Sequence, residues 1–198
     1  VVKQCMKSAD KELMELGGHA VCDFYIRYHE FEDIISDVRM KSKEQLRAIL
    51  YRAVMYLKID KYRELAKEII LEYRKFDIDE GCPLSLIFKS ENIDAERDKK
   101  FLQELMKSNA GRRTTYAFTH FLEESAVSVV DYADIIITLC ENVLQMEKDK
   151  LRDQWGIENE ISKLIMALYD ETANSEGRIH KQIAAKCLDL WDIMFEKQ

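Results

Sequence analysis

Turn-forming residues are scarce in this sequence, which has one proline and six glycines among 198 residues. An all-β fold of this length needs many tight turns, and Gly and Pro are prominent among the residues that build them. Their scarcity argues against a β-sandwich or barrel and favours helices joined by short connections. There is also no secretory signal peptide and no apolar run long enough to span a membrane. We therefore expect a cytoplasmic protein.

An excess of basic residues is missing as well, since 37 acidic residues outnumber 30 basic ones and the net charge is −7. Non-specific nucleic-acid binding draws most of its free energy from clustered Lys and Arg side chains that neutralise phosphates. Here the basic residues are interleaved with Asp and Glu along nearly the whole chain. This balance disfavours nucleic acid as the partner.

The motifs of the commonest enzyme classes do not occur. There is no Walker A loop, no Gly-x-Ser-x-Gly nucleophile elbow and no pair of Glu-x-x-His motifs. Glu15, His19 and Cys22 have the helical spacing of zinc ligands. However, a fourth ligand has no evident source, and the Gly17–Gly18 pair would loosen the geometry. We predict no metal site and no cofactor.

The cysteines follow no metal-binding or redox pattern, because they are widely spaced and contain no CxxC pair. An odd number of cysteines among apolar neighbours is typical of buried free thiols in a reducing compartment. The five are Cys5, Cys22, Cys82, Cys140 and Cys187.

The strongest positive signal is an apolar period of three to four residues, which indicates amphipathic helices throughout. The pattern predicts about eight to ten helices, and two helices with their turns fill about 35 to 45 residues, as in solenoid repeats. A weak sequence similarity between Lys61–Leu65 and Asp131–Ile135 supports the presence of repeats. We predict an all-α, HEAT-like stack of antiparallel helix pairs forming one domain over residues 1–198. An irregular globular helical domain is the alternative.

Residue type and spacing predict three local features of the helices. Ser42 should cap the helix after it. The Gly17–Gly18 pair should weaken or bend its helix, or let a neighbouring helix approach closely. Trp191 shares a helical stripe with other apolar residues and should be buried. The members of this stripe are Cys187, Leu188, Trp191, Met194 and Phe195.

One group of four aromatic residues and a single tryptophan are candidate ligand contacts. The spacing of Phe24, Tyr25, Tyr28 and Phe31 favours a core stripe over a ligand groove. Trp155 follows a charged segment and precedes Gly156 at an expected connection between helices. We therefore predict that Trp155 is an exposed recognition residue.

Three segments of the second half carry a family resemblance: Asp94–Leu102, Ile161–Thr172 and Cys187–Glu196. They resemble the C-terminal HEAT-like regions of large bacterial STAND-type NTPases, including antiviral ones. The resemblance implies a non-catalytic sensor or scaffold segment that binds another protein, such as a foreign or phage protein. The NTPase motifs of such proteins have no counterpart here. Because the chain begins at Val1 instead of Met, we expect it to be part of a longer protein.

An alternative function depends on two residues, Arg113 and His120. Their spacing resembles the Arg-x4–6-His motif of HEPN ribonucleases, which are all-α proteins that cleave RNA with paired Arg and His side chains. Thr114 departs from the Asn, Asp or His that usually follows the Arg in that motif. If the alternative is wrong, we expect His120 to pack beside Phe118 and Phe121 against a neighbouring helix. A simple dimerisation domain is a third hypothesis.

Overall fold

The structure is a computed structural model that describes residues 1–37, 42–73, 83–89, 92–94, 96–106, 112–124, 127–145 and 156–196. These described residues form ten α-helices and short 3-10 turns, and they contain no β-strand. The all-α prediction is therefore confirmed. The stacking of the helices as HEAT-like repeats stays a prediction.

The chain divides into two compact units, Val1–Ile93 and Asp94–Gln198. The sequence predicts one domain over residues 1–198, and that prediction stays open.

Unit 1 contains five of the described helices, of which α2 and α4 are the longest. The helices are α1 (Val2–Cys5), α2 (Lys11–Tyr28), α3 (Glu32–Ser36), α4 (Lys43–Tyr56) and α5 (Arg63–Tyr73), with 3-10 turns at Asp60–Tyr62 and Pro83–Phe88. Helix α4 is central, since it packs against α2, α5 and the second 3-10 turn.

Side-chain caps fix where the two long helices of unit 1 begin. Asp10 accepts hydrogen bonds from the backbone N–H groups of Glu12 and Leu13, and so starts α2. Ser42 and Gln45 form a reciprocal capping box at the start of α4, which confirms the predicted cap. Each cap satisfies backbone donors that have no partner inside the helix.

The Gly17–Gly18 pair allows close approach of neighbouring segments. A Cβ atom at Gly18 would lie 2.9 Å from the Ala48 Cβ of α4 and 3.0 Å from the Gln45 carbonyl oxygen. A Cβ at Gly17 would lie 3.0 Å from the Met6 backbone nitrogen. Both glycines lie within the continuous helix α2. Of the predicted effects, a weakened or bent helix or a close approach, the structure shows the close approach.

Unit 2 contains the remaining described helices. They are α6 (Lys99–Met106), α7 (Arg112–Glu124), α8 (Ala133–Leu144), α9 (Ile157–Ala173) and α10 (Arg178–Glu196), with a 3-10 turn at Val129–Tyr132. Helices α8, α9 and α10 pack against one another, and α7 packs against α9. Their core is made of the apolar positions that recur at three and four along each helix. Among these are Ile136, Cys140, Val143, Ile161, Leu164, Ile165 and Leu168.

The predicted burial of Trp191 is wrong, because the buried face of α10 shares Cys187 and Met194 with the predicted stripe but is rotated so that Trp191 lies at its edge. Trp191 is only half-buried, while Leu188 and Phe195 are 51% and 54% exposed. The buried face is made of Ala184, Cys187, Leu190 and Met194. Helix α10 carries apolar residues on two sides, and the helical period alone cannot tell which side packs inward.

We expect Gly18→Val to destabilise the protein by about 1–3 kcal/mol, because the new side chain would overlap α4. Ala20→Val is the matched control, since it places the same β-branched residue in the same helix at a half-buried position. The measurement is the free energy of unfolding in urea. Equal losses in the two variants would contradict the close packing at Gly18.

We also expect Leu190→Ala to cost about 2–5 kcal/mol, since it leaves a cavity in the core of unit 2. Trp191→Ala should cost less, because the ring is half-buried and part of its surface already contacts solvent. Urea denaturation of both variants measures the difference. A larger loss for Trp191→Ala would mean that the assigned buried face of α10 is wrong.

Candidate functional site

Helix α2 has a solvent-facing apolar surface in addition to the face that packs on α4. We call this surface, made of Leu13, Leu16, Phe24 and Tyr28, the outer surface of α2. These side chains are 43%, 57%, 37% and 63% exposed, respectively. Their spacing places them along one side of the helix, with half-buried Ala20 between Leu16 and Phe24. Helix α2 is thus apolar on both sides, although only one side is buried.

An aromatic cluster forms the C-terminal end of this surface. The Phe24 ring centroid lies 5.8 Å from that of Tyr28 and 5.7 Å from that of Phe31. The prediction that these aromatics form a core stripe is wrong for Phe24 and Tyr28, which are exposed. It holds in part for Tyr25 and Phe31, which are half-buried.

The chain turns back on itself directly after α2, and this turn brings Phe31 onto Phe24. His29 and Phe31 have φ angles of 57° and 63°, in the left-handed region that few residues other than glycine adopt. His29 ends the helix by donating its backbone N–H to the Tyr25 carbonyl oxygen. The sequence gives no Gly at either position, so it carries no signal for this turn.

A polar network beside the aromatic cluster joins α2 to α4. Asp23 Oδ1 accepts hydrogen bonds from Arg52 Nε at 2.6 Å and from the Tyr56 hydroxyl at 2.9 Å. The same hydroxyl oxygen accepts a hydrogen bond from Arg27 Nε at 2.7 Å. The carbon centres of both guanidinium groups lie 5.7 Å from the Tyr56 ring centroid, within the range of cation–π attraction.

The charges of this network are fixed near neutral pH. Burial, and then its hydrogen bond to Asp23, raise the pKa of Tyr56, so the phenol stays neutral. The hydrogen bond to Tyr56 raises the pKa of Arg27, and the hydrogen bond to Asp23 raises that of Arg52. The network therefore holds two cations and one carboxylate.

The three residues considered as zinc ligands are not brought together. Glu15 pairs with Arg47, whose Nη2 lies 3.2 Å from its Oε1, and Cys22 is fully buried. His19 lies edge-on to Tyr51, with ring centroids 5.8 Å apart. Burial, and then the nearby Arg52 charge, lower the pKa of His19, so the ring is neutral at neutral pH. Within the described residues, no cluster of three His, Cys, Asp or Glu side chains could hold a metal ion.

His120 of the alternative ribonuclease hypothesis lies on the surface of α7. Its side chain is 50% exposed, and its Nδ1 lies 3.6 Å from Glu124 Oε1. The expected packing of His120 beside Phe118 and Phe121 is wrong, because these two rings point inward, where both contact Tyr132. Neighbouring positions on a helix point in different directions. The Arg113 side chain and all of Trp155 lie outside the described residues.

The described cysteines are free, and three of them, Cys22, Cys140 and Cys187, are buried. Burial raises the pKa of Cys187 to about 11 and also raises the pKa values of Cys22 and Cys140. Because the thiolate is the reactive form, these thiols are poor nucleophiles. The burial of these three agrees with the prediction from the sequence, whereas Cys5 is half-buried and Cys82 lies outside the described residues.

Among the described helices, none combines the length and the apolar character that crossing a membrane requires. No protein-family model, curated protein or solved structure matches this chain. The resemblance to STAND-type NTPases thus stays a prediction.

Proposed function

We propose that this chain is a non-catalytic helical segment that binds another protein, and that unit 1 does so through the outer surface of α2. The observation that carries this proposal is the exposure of Leu13, Leu16, Phe24 and Tyr28 along one side of a helix whose other side is already packed. A helix that is apolar on both sides has two surfaces to cover. Contiguous exposed apolar surface is typical of interaction sites.

The residue types support protein binding in particular. Tyr and Arg are enriched among the residues that dominate binding energy at protein interfaces. Here Tyr28 and Arg27 are adjacent and both exposed, and Phe24 supports the Tyr28 ring from the preceding turn. Because residues 13 to 28 are helical, the surface extends over roughly 22 Å. This length suits one facing helix or an extended segment of a partner.

The wider setting proposed for this segment is the sensor or scaffold part of a bacterial defence NTPase, with a foreign protein as the partner. The three resembling segments support it, and they all lie in unit 2. The outer surface of α2 lies in unit 1 and supports protein binding independently of that setting. The setting and the binding surface can therefore be tested separately.

A second candidate function, RNA cleavage, is favoured by one observation, the exposure of His120 beside Tyr116 and Glu124. A ribonuclease of the HEPN type needs this imidazole on an open surface together with Arg113. General acid–base catalysis by a histidine contributes on the order of 10²–10⁴ in rate, so its removal is easily detected.

For the binding function, we expect peptides selected on the wild-type protein from a random phage-displayed library to lose affinity for Leu16→Ser/Tyr28→Ser. The loss should be tenfold or more, about the effect of removing interface anchors. Fluorescence anisotropy measures it, and circular dichroism checks that the variant is folded. The control is Tyr116→Ser/Ile179→Ser, which removes a similarly exposed pair from unit 2. Equal affinity for the wild type and Leu16→Ser/Tyr28→Ser would contradict the proposal.

For the alternative, we expect no RNA cleavage above background by the purified protein. His120→Ala should change the free energy of unfolding by less than about 0.5 kcal/mol, since the ring is exposed. The measurements are cleavage of a labelled RNA without metal ions and urea denaturation. Cleavage that disappears in both Arg113→Ala and His120→Ala would replace the binding proposal with the ribonuclease function.

A further inference from the structure

We propose that Arg27 binds an acidic side chain of the partner, so that the outer surface of α2 selects protein segments with an Asp or Glu next to apolar residues. The inference rests on the proposed function and adds the chemistry of the partner. It is based on the position of Arg27, on the hydrogen bond that holds it and on the charge balance of the network around it.

Arg27 lies within the outer surface of α2. It follows Phe24 by three positions and precedes Tyr28 by one, so its side chain leaves the same side of the helix. The residue is exposed, and its Nε donates to the Tyr56 hydroxyl at 2.7 Å. This hydrogen bond leaves the two Nη groups, which can donate to both oxygens of one carboxylate. Among the ion pairs of the described residues, none includes Arg27.

The hydrogen-bonded network around Arg27 contains two guanidinium groups and one carboxylate. Asp23 is the only carboxylate in the network, and its Oδ1 lies 2.6 Å from Arg52 Nε. The other guanidinium group, that of Arg27, forms no ion pair in this network: it donates to the Tyr56 hydroxyl, lies 5.7 Å from the Tyr56 ring centroid and is influenced by Asp23 only through space. The network itself therefore carries one positive charge more than it has carboxylates. A carboxylate at this point complements that surplus charge, whereas a cation is repelled.

Tyr56 also prepares Arg27 for binding. A free arginine side chain loses rotamer freedom when it forms an ion pair, and this loss reduces affinity. Tyr56 is 2% exposed, so its hydroxyl is a fixed point of attachment for Arg27 Nε. The guanidinium group has therefore lost part of its rotamer freedom before the partner binds. Tyr56 acts as a positioning residue, and Arg27 makes the contact.

Two other occupants fit this surface less well. A helix face roughly 22 Å long and about 10 Å wide offers on the order of 200 Å², whereas a stable dimer buries about 800 Å² on each partner. A second copy of the chain therefore lacks sufficient contact area here. Nucleic acid needs several clustered cations to neutralise its phosphates, and one surplus charge does not supply them. A short acidic and apolar protein segment matches both the area and the charge.

The test uses random 16-residue peptides displayed on phage, selected in parallel on the full chain and on Arg27→Gln. Peptides selected on the wild type should be enriched in Asp and Glu relative to those selected on Arg27→Gln. A selected peptide should bind Arg27→Gln about tenfold more weakly, and the same peptide with its acid changed to the amide should lose a similar factor. Combining the protein change with the peptide change should weaken binding little more than either change alone, because they remove the same contact.

Two further variants separate a direct contact from a structural effect. Tyr56→Phe keeps the buried ring and removes only the hydroxyl, so it should weaken binding by less than Arg27→Gln. Arg47→Gln is the matched control, since it removes an equal charge from another partly exposed arginine of unit 1 and should leave affinity unchanged. Raising NaCl from about 0.05 to 0.5 M should weaken peptide binding to the wild type much more than to Arg27→Gln.

Different outcomes distinguish failure of this inference from failure of the proposed function. The selected peptides could bind Leu16→Ser/Tyr28→Ser more weakly, lack acidic residues and bind Arg27→Gln as tightly as the wild type. That result would overturn only the role of Arg27. If no peptides are selected, or if the selected peptides bind both variants as tightly as the wild type, the proposed function and this inference both fail. Arg27-dependent binding of a labelled single-stranded RNA would replace the protein partner with nucleic acid. Concentration-dependent self-association that Leu16→Ser/Tyr28→Ser abolishes would replace it with a second copy.

Discussion

The close contact of α2 with α4 is the constraint on which the arrangement of unit 1 depends. Gly18 lets the two helix backbones pack closely, because any side chain at this position would overlap Ala48 and the Gln45 carbonyl. This contact fixes the rotation of α2 about its own axis. The rotation in turn decides which of its two apolar sides is covered and places Asp23 within reach of Arg52 and Tyr56.

The polar network and the aromatic cluster lie at the same end of α2 and complement each other. The network is partly buried, and its hydrogen bonds join two helices, so it holds Arg27 in a defined position. The left-handed turn at His29 and Phe31 brings a third ring back onto the end of the helix. A flexible charged side chain and an isolated ring would each lose more entropy on binding. Together these contacts give the surface a fixed shape before any partner is bound.

The sequence predicts the helices well and the surfaces poorly, for a physical reason. The apolar period identifies the buried positions of α4, α8 and α9, where one side of the helix is apolar and the other polar. It fails at α2 and α10, where apolar residues lie on both sides and only tertiary packing decides which side is inside. The hydrogen bond between Arg27 and Tyr56 joins residues 29 positions apart, so no local pattern indicates it. The left-handed Phe31 is likewise set by its surroundings and not by residue type.

The two-sided character of α2 also bears on the colloidal behaviour of the chain. Exposed apolar surface on a helix attracts other copies at high concentration, and mutual charge repulsion opposes that attraction. The net charge of −7 supplies repulsion at neutral pH, but it vanishes near the pI of about 5.3. Mild acid or high salt would therefore weaken the electrostatic repulsion between copies while leaving the apolar surface exposed. The pH and ionic strength chosen for storage would then decide whether the outer surface of α2 stays free or is covered by aggregation.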